Sequence, residues 1–139
     1  ISRKHEDYQI DVECEEFILV HMDVRLIIQV LVNLIDNAIK YTLPGSKICI
    51  RGIKKDGKAQ ISVADNGPGI SDEVKPHIFE MFYTGNNTIA DSHRSLGLGL
   101  SLCRSIIEAH GGTLVLTDNI PRGCMFTFTL PLSEVTLNE

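Results

Sequence analysis

Five polar side chains recur along an otherwise apolar stretch: Gln29, Asn33, Asp36, Asn37 and Lys40. At about 100° per residue they fall within roughly a third of a helix's circumference. Val24, Ile27, Ile28, Leu31, Leu34, Ile35, Ala38 and Ile39 fill most of the rest, so the helix should be buried. Asparagine is a poor helix former, and two of them on one stripe require a reason. One reading is a solvated face, although such faces carry Glu, Lys and Arg more often than short carboxamides. The other is chemical. Carboxamide oxygens with waters suit Mg²⁺, and a lysine one turn on suits a phosphate as a point charge.

A second group is Asp65-Asn66-Gly67-Pro68-Gly69, directly after a predicted strand. A carboxylate at a strand end can accept from an exocyclic amine, and glycines let a flat base approach the backbone. The same five residues also make an ordinary tight turn. A third group, Gly97-Leu98-Gly99-Leu100, opens a predicted helix and exposes backbone N–H groups at its positive end, where an anion binds. No strand precedes it and a third glycine is missing, so it is not a dinucleotide fingerprint; no Gly-Lys-Ser/Thr occurs, which excludes a P-loop.

These groups depend on the elements that carry them. The 139 residues, 43% of them apolar, suit one domain with a real core. Residues 8–14 alternate and predict a strand with one buried face (Tyr8, Ile10, Val12, Cys14); residues 17–21 predict a short second strand. Asp23 is an N-cap for a helix to about Thr42, stopped by Pro44-Gly45. Residues 48–53 and 58–64 read as a hairpin through Lys55-Asp56-Gly57. The polar stretch from 82 to 96 predicts a mobile loop. A helix over 98–109 ends at His110-Gly111-Gly112, and strands over 113–117 and 124–130 follow. Five or six strands with two good helices predict one mixed sheet covered by helices on one face.

Composition excludes other classes. Thirteen basic against eighteen acidic residues, a net charge of −5, argues against a nucleic-acid partner or an anionic-membrane surface. No signal peptide opens the chain, and no run approaches the ~20 apolar residues of a membrane span. Cys14, Cys49, Cys103 and Cys124 lack CxxC spacing and sit in apolar patterns, as buried thiols of a reducing compartment do.

In chain order, Asn33-x-x-x-Asn37-Ala38, Asp65-x-Gly67-x-Gly69, Phe79-x-x-Phe82, Gly97-x-Gly99-Leu100 and Gly123-x-x-Phe126 resemble the catalytic ATP-binding domain of sensor histidine kinases. The resemblance covers residues 8–132, leaving 1–7 as a linker remnant and 133–139 as a C-terminal tail. It implies an α/β (α+β) two-layer sandwich of the Bergerat type. In that fold a mixed, mostly antiparallel five-stranded sheet carries about three helices on one face, and ATP lies under a flexible lid. It also assigns roles. Asn37, with Asn33, stands at the Mg²⁺ position, and Lys40 contacts phosphate. Tyr41 packs near the adenine or ribose. Asp65 accepts from the adenine amine, with Gly67 and Gly69 forming the base pocket. Gly97 and Gly99 hold phosphates at the helix start, and Ile70, Phe82, Arg94, Leu98, Leu100 and Cys124 complete the nucleotide contacts.

Departures from the family pattern are local. Ser95 replaces a frequent glycine, and Thr84 a frequent arginine for which Arg94 or His93 can substitute; Cys124 stands where Thr or Ser is usual. Hydrolysing relatives carry a glutamate four residues before the first asparagine; here it is Gln29, whose amide takes up no proton near neutral pH. Transfer is therefore favoured over hydrolysis, with a non-transferring nucleotide-binding module as the other alternative. The acceptor histidine of such kinases lies in a separate helical hairpin, and neither His5-Glu6 nor any other histidine here has one around it. The resemblance thus implies a cytoplasmic domain of a membrane-anchored sensor. Its partners are that dimerisation and phosphoacceptor domain and, through it, a response regulator. Residues 23–42, Cys103-Arg104 and Asn119-x-Pro121 are similar to potassium-responsive sensors.

Overall fold

Period-two alternation sorts the strands into one sheet. The computed structural model describes residues 9–14, 22–40, 42–80 and 98–132, with Lys40 and Leu98 as backbone alone. Strands β1 (Gln9–Cys14), β2 (Lys47–Lys55), β3 (Lys58–Asp65), β4 (Leu114–Asp118) and β5 (Cys124–Pro131) lie in the order β1-β2-β3-β5-β4. β1 runs parallel to β2, and every other pairing is antiparallel. The register stacks Ile50 beside Val63, Val63 beside Phe126, and Phe126 beside Leu116. Those side chains share one face, and Phe126, Phe128, Ile48, Val63 and Leu114 are buried on it. Thr127, Thr129, Ser62 and Arg51 point the other way, half-buried or exposed. The expected mixed, mostly antiparallel five-stranded sheet is the one observed.

Helix α1 (Val24–Lys40), helix α2 (Leu98–Ala109) and a 3-10 turn (Lys75–His77) accompany it. α1 packs on α2 and β3, and α2 on β4 and β5. Asp23 caps α1 as expected: its Oδ1 accepts the N–H groups of Arg25 at 3.1 Å and Leu26 at 3.3 Å. His110 joins the two helices. Its Nε2 accepts the Asp23 backbone N–H at 3.1 Å, and its Nδ1 donates to the Ile106 carbonyl at 2.8 Å. A backbone N–H can only donate, so Nε2 is the unprotonated nitrogen. The β2–β3 hairpin turns on Asp56 (φ 54°) and Gly57 (φ 76°), the two left-handed residues that such a turn requires.

Three expectations need correction. β1 has no buried face: Ile10 is half-buried, Val12 is 68% exposed and Cys14 is exposed. β1 is the sheet's edge, and the helices sit over β3, β4 and β5. Second, none of the four cysteines is in a disulfide, but Cys103 and Cys124 alone are buried; Cys49 is half-buried on the outer face. Third, α1 is not enclosed all round, since Val24, Ile28 and Val32 lie exposed on the side away from the sheet. The strand expected at 17–21 and the loop expected at 82–96 lie outside the described residues.

Candidate functional site

Asp65 is the last residue of β3 and, by alternation, points inward, where it is 4% exposed. Its Oδ1 accepts two backbone donors, Gly67 N–H at 2.9 Å and Cys124 N–H at 3.3 Å. Its Oδ2 accepts the Cys124 thiol at 3.1 Å. A thiol is a weak donor, so Oδ2 keeps acceptor capacity for a stronger one. Burial first, then the Asp65 charge and this hydrogen bond, push the Cys124 thiol far above its ordinary 9.0. It stays protonated, and a donor.

Three glycines let the chain close around this carboxylate. A Cβ on Gly67 would run into the Thr42 methyl, and one on Gly123 into the Asp65 carbonyl. Gly69 holds φ at +84°, with the Gly123 backbone behind it. Two side chains that sequence reasoning missed fix the loop from outside: Asn119 Nδ2 donates to the Asp65 carbonyl at 2.8 Å, and Arg122 Nε to the Gly67 carbonyl at 2.9 Å. Asn119 belongs to the three-residue Asn119-x-Pro121 pattern, which carries only a family likeness; nothing in the sequence marks Arg122 or Thr42. A cleft of about 730 Å³ opens beside Gly67, lined by Thr42, Pro44, Ser46, Asn66, Pro68 and Arg122. Past Ile70, which is half-buried against the core, Lys75 Nζ pairs with Asp72 at 2.5 Å and with Asp118 of β4 at 2.7 Å. Bonding to Asp118 and then Asp72 holds the Lys75 ammonium above its ordinary range. This fastens the segment after the glycine loop to the end of β4.

On α1, Asn33 and Asn37 lie one turn apart and half-buried. Asn33 Nδ2 donates to Cys103 Sγ on α2 at 3.6 Å, and that thiol donates to the Val30 carbonyl at 3.9 Å. Gln29, on the same stripe, is exposed. Among the described residues, no three His, Cys, Asp or Glu side chains converge as metal ligands. A metal here would rest on carboxamide oxygens, water and a ligand's own phosphates, the donor set that suits Mg²⁺. The two asparagines fit that ion. At the start of α2, a Cβ on Gly99 would meet nothing within 4 Å among the described residues. Leu100 packs half-buried against the core.

The structure thus joins Asp65, Gly67, Gly69 and Cys124 in one cluster and ties Asn33 to α2. Lys40 ends α1 and Leu98 opens α2. Tyr41, Phe82, Arg94 and Gly97 lie outside the described residues. Phe79 is a core wedge, edge-on to Phe126 at 6.0 Å with the Arg104 guanidinium 4.8 Å from its ring centre.

The profile of the histidine kinase-, DNA gyrase B-, and HSP90-like ATPase family matches residues 22–134. The chain is 43% identical over 117 residues to the sensor protein KdpD of Clostridium acetobutylicum, covering 84% of this chain and 13% of that protein. It is similar to the nucleotide-free catalytic domain of the histidine kinase ThkA (36% identity, TM-score 0.78, 94% of this chain and 84% of that one). ThkA has also been solved in complex with the response regulator protein TrrA (34%, TM-score 0.76, 95% and 36%). Full-length ShkA in complex with AMPPNP is similar as well (26%, TM-score 0.81, 99% and 28%). No described helix is long and apolar enough to cross a membrane.

Proposed function

Because the chain belongs to the histidine kinase-, DNA gyrase B-, and HSP90-like ATPase family, we propose that it is the ATP-binding catalytic domain of a sensor histidine kinase. In this reading it donates the γ-phosphate of ATP to a histidine on a separate dimerisation domain. That domain belongs to the same membrane-anchored sensor and serves a response regulator. The domain lies on the cytoplasmic side. Support comes from the likeness to KdpD, ThkA and ShkA, and from ThkA's complex with a response regulator.

The observation that carries the reading is Asp65, a buried carboxylate with Oδ1 taken by two backbone donors and Oδ2 met by a weak one. It would accept the adenine amine, with Gly67, Gly69, Ile70, Leu100 and Cys124 around the base. The Asn33 and Asn37 carboxamides would hold Mg²⁺, with Lys40, Gly97, Leu98 and Gly99 at the phosphates. Tyr41, Phe82 and Arg94 would complete the enclosure. When bound, Mg²⁺ supplies neutralisation of the phosphate oxygens.

Guanine presents a carbonyl where adenine has its amine, carboxylate against acceptor. Calorimetry on the domain should show ATP bound and GTP at least about fivefold weaker, since an unmade buried hydrogen bond costs on the order of 1–3 kcal/mol. Asp65→Asn should lose most of the ATP affinity. Equal binding of the two nucleotides by the wild type would defeat the adenine reading.

A further inference from the structure

We propose that Cys103 is a positioning residue for Asn33: its sulfur accepts the Nδ2–H and so aims the Oδ1 lone pairs at the nucleotide's metal. The proposal deepens the function argued above and rests on Asn33 standing at the Mg²⁺ position.

The geometry is specific. Asn33 lies on α1 and Cys103 on α2, 70 residues apart, and the contact between them is a 3.6 Å N–H···S bond. Cys103 is fully buried, and its own proton goes to the Val30 carbonyl at 3.9 Å, leaving the sulfur lone pairs toward the amide. A carboxamide is planar and two-sided. With Nδ2 held on the thiol side, Oδ1 must face away from it. An asparagine without that partner can turn over and present two N–H donors instead, a wrong-signed dipole beside a cation. The thiol therefore selects one of two amide orientations. The sulfur also sits on the helix whose first turn carries Gly99 and Leu100, so the bond runs between the two helices.

The test is ATP affinity by calorimetry on the domain, in excess Mg²⁺ and again in chelator, for wild type, Cys103→Val and Cys103→Ser. Valine fills the site but accepts no hydrogen bond; serine restores an acceptor. Cys103→Val should weaken binding in Mg²⁺ about fivefold, the worth of a modest hydrogen bond, and leave binding in chelator within about twofold. Cys103→Ser should recover most of the loss. In an Asn33→Ala background, Cys103→Val should cause no further Mg²⁺-dependent loss. Equal weakening with and without Mg²⁺, no recovery by serine in a folded variant, or a full effect of valine without Asn33 would each overturn the proposal. If wild type itself binds ATP equally in Mg²⁺ and in chelator, the metal role of Asn33 fails first, and that outcome is visible before any Cys103 variant is made.

Discussion

Asp65 is a charged side chain at 4% exposure, yet its three hydrogen-bond donors are two backbone amides and a thiol, none of them a cation. Such burial opposes folding, because charge taken from water is repaid only by strong partners. The carboxylate therefore serves a ligand better than it serves the fold. Asp65→Asn should leave the urea stability of the ligand-free domain within about 1 kcal/mol of wild type, while its ATP affinity collapses. A variant that unfolds would return Asp65 to a structural role. The thiols behave in the opposite sense. Burial raises both Cys103 and Cys124 from 9.0 in the fold. Stability from a group raised in this way is fully present below its unfolded value and is lost as pH climbs past it. Unfolding free energies from urea titration should thus hold to about pH 9 and fall above it, by at most about 1.4 kcal/mol per pH unit for each thiol. Cys124→Ser, which does not titrate there, should have a shallower fall than wild type.

The two helices are coupled at the end away from the start of α2. Asp23 caps α1 with its side chain and receives His110 with its backbone N–H, so one residue closes the start of α1 and the end of α2. Asp23→Ala should cost about 1 kcal/mol in urea, the usual worth of a cap. His110→Ala should cost a similar amount and speed exchange of the Asp23 amide, whose acceptor is gone; unchanged exchange there would mean that water replaces the imidazole at no cost. Local chemistry of this kind is legible in the sequence. The cap at Asp23, the Asp56-Gly57 turn, the Leu98–Ala109 helix and the alternation of β5 all follow from contacts within a few residues. The exposure of Val12 and Cys14 does not, because being an edge strand is a property of strand order, not of alternation. Nor do the Asn33–Cys103 and Asp65–Cys124 bonds, spanning 70 and 59 residues. Period and capping are written locally, whereas these pairs depend on how elements register across the sheet. The candidate residues, Cys124 among them, are legible as residue types in order; the long-range hydrogen bonds that orient them are not.

At the scale of the molecule, the proposed reading puts Gln29 where hydrolysing relatives would carry their base, and Gln29 is exposed and unable to take a proton. A neutral imidazole attacks with a lone pair it already carries, so positioning supplies most of what transfer needs. The domain alone should turn ATP over far more slowly than about 1 s⁻¹, yet label a histidine on an added acceptor domain. Gln29→Glu should raise hydrolysis without improving transfer. Rapid hydrolysis by the wild type would make this chain an ATPase rather than a kinase.

The four cysteine thiols, none of them in a disulfide, also form a graded set of chemical reporters. Cys14 is exposed on the edge strand, Cys49 half-covered on the outer face, and Cys103 and Cys124 sealed at the two candidate ligand positions. A colourless disulfide reagent should therefore release its chromophore in stages, at once for the first, later for the second, and for the last two at the rate at which the domain opens. Saturating nucleotide, by favouring the closed state in proportion to its concentration over its dissociation constant, should stretch that final stage and leave the first untouched. The domain then measures its own opening with atoms it already has.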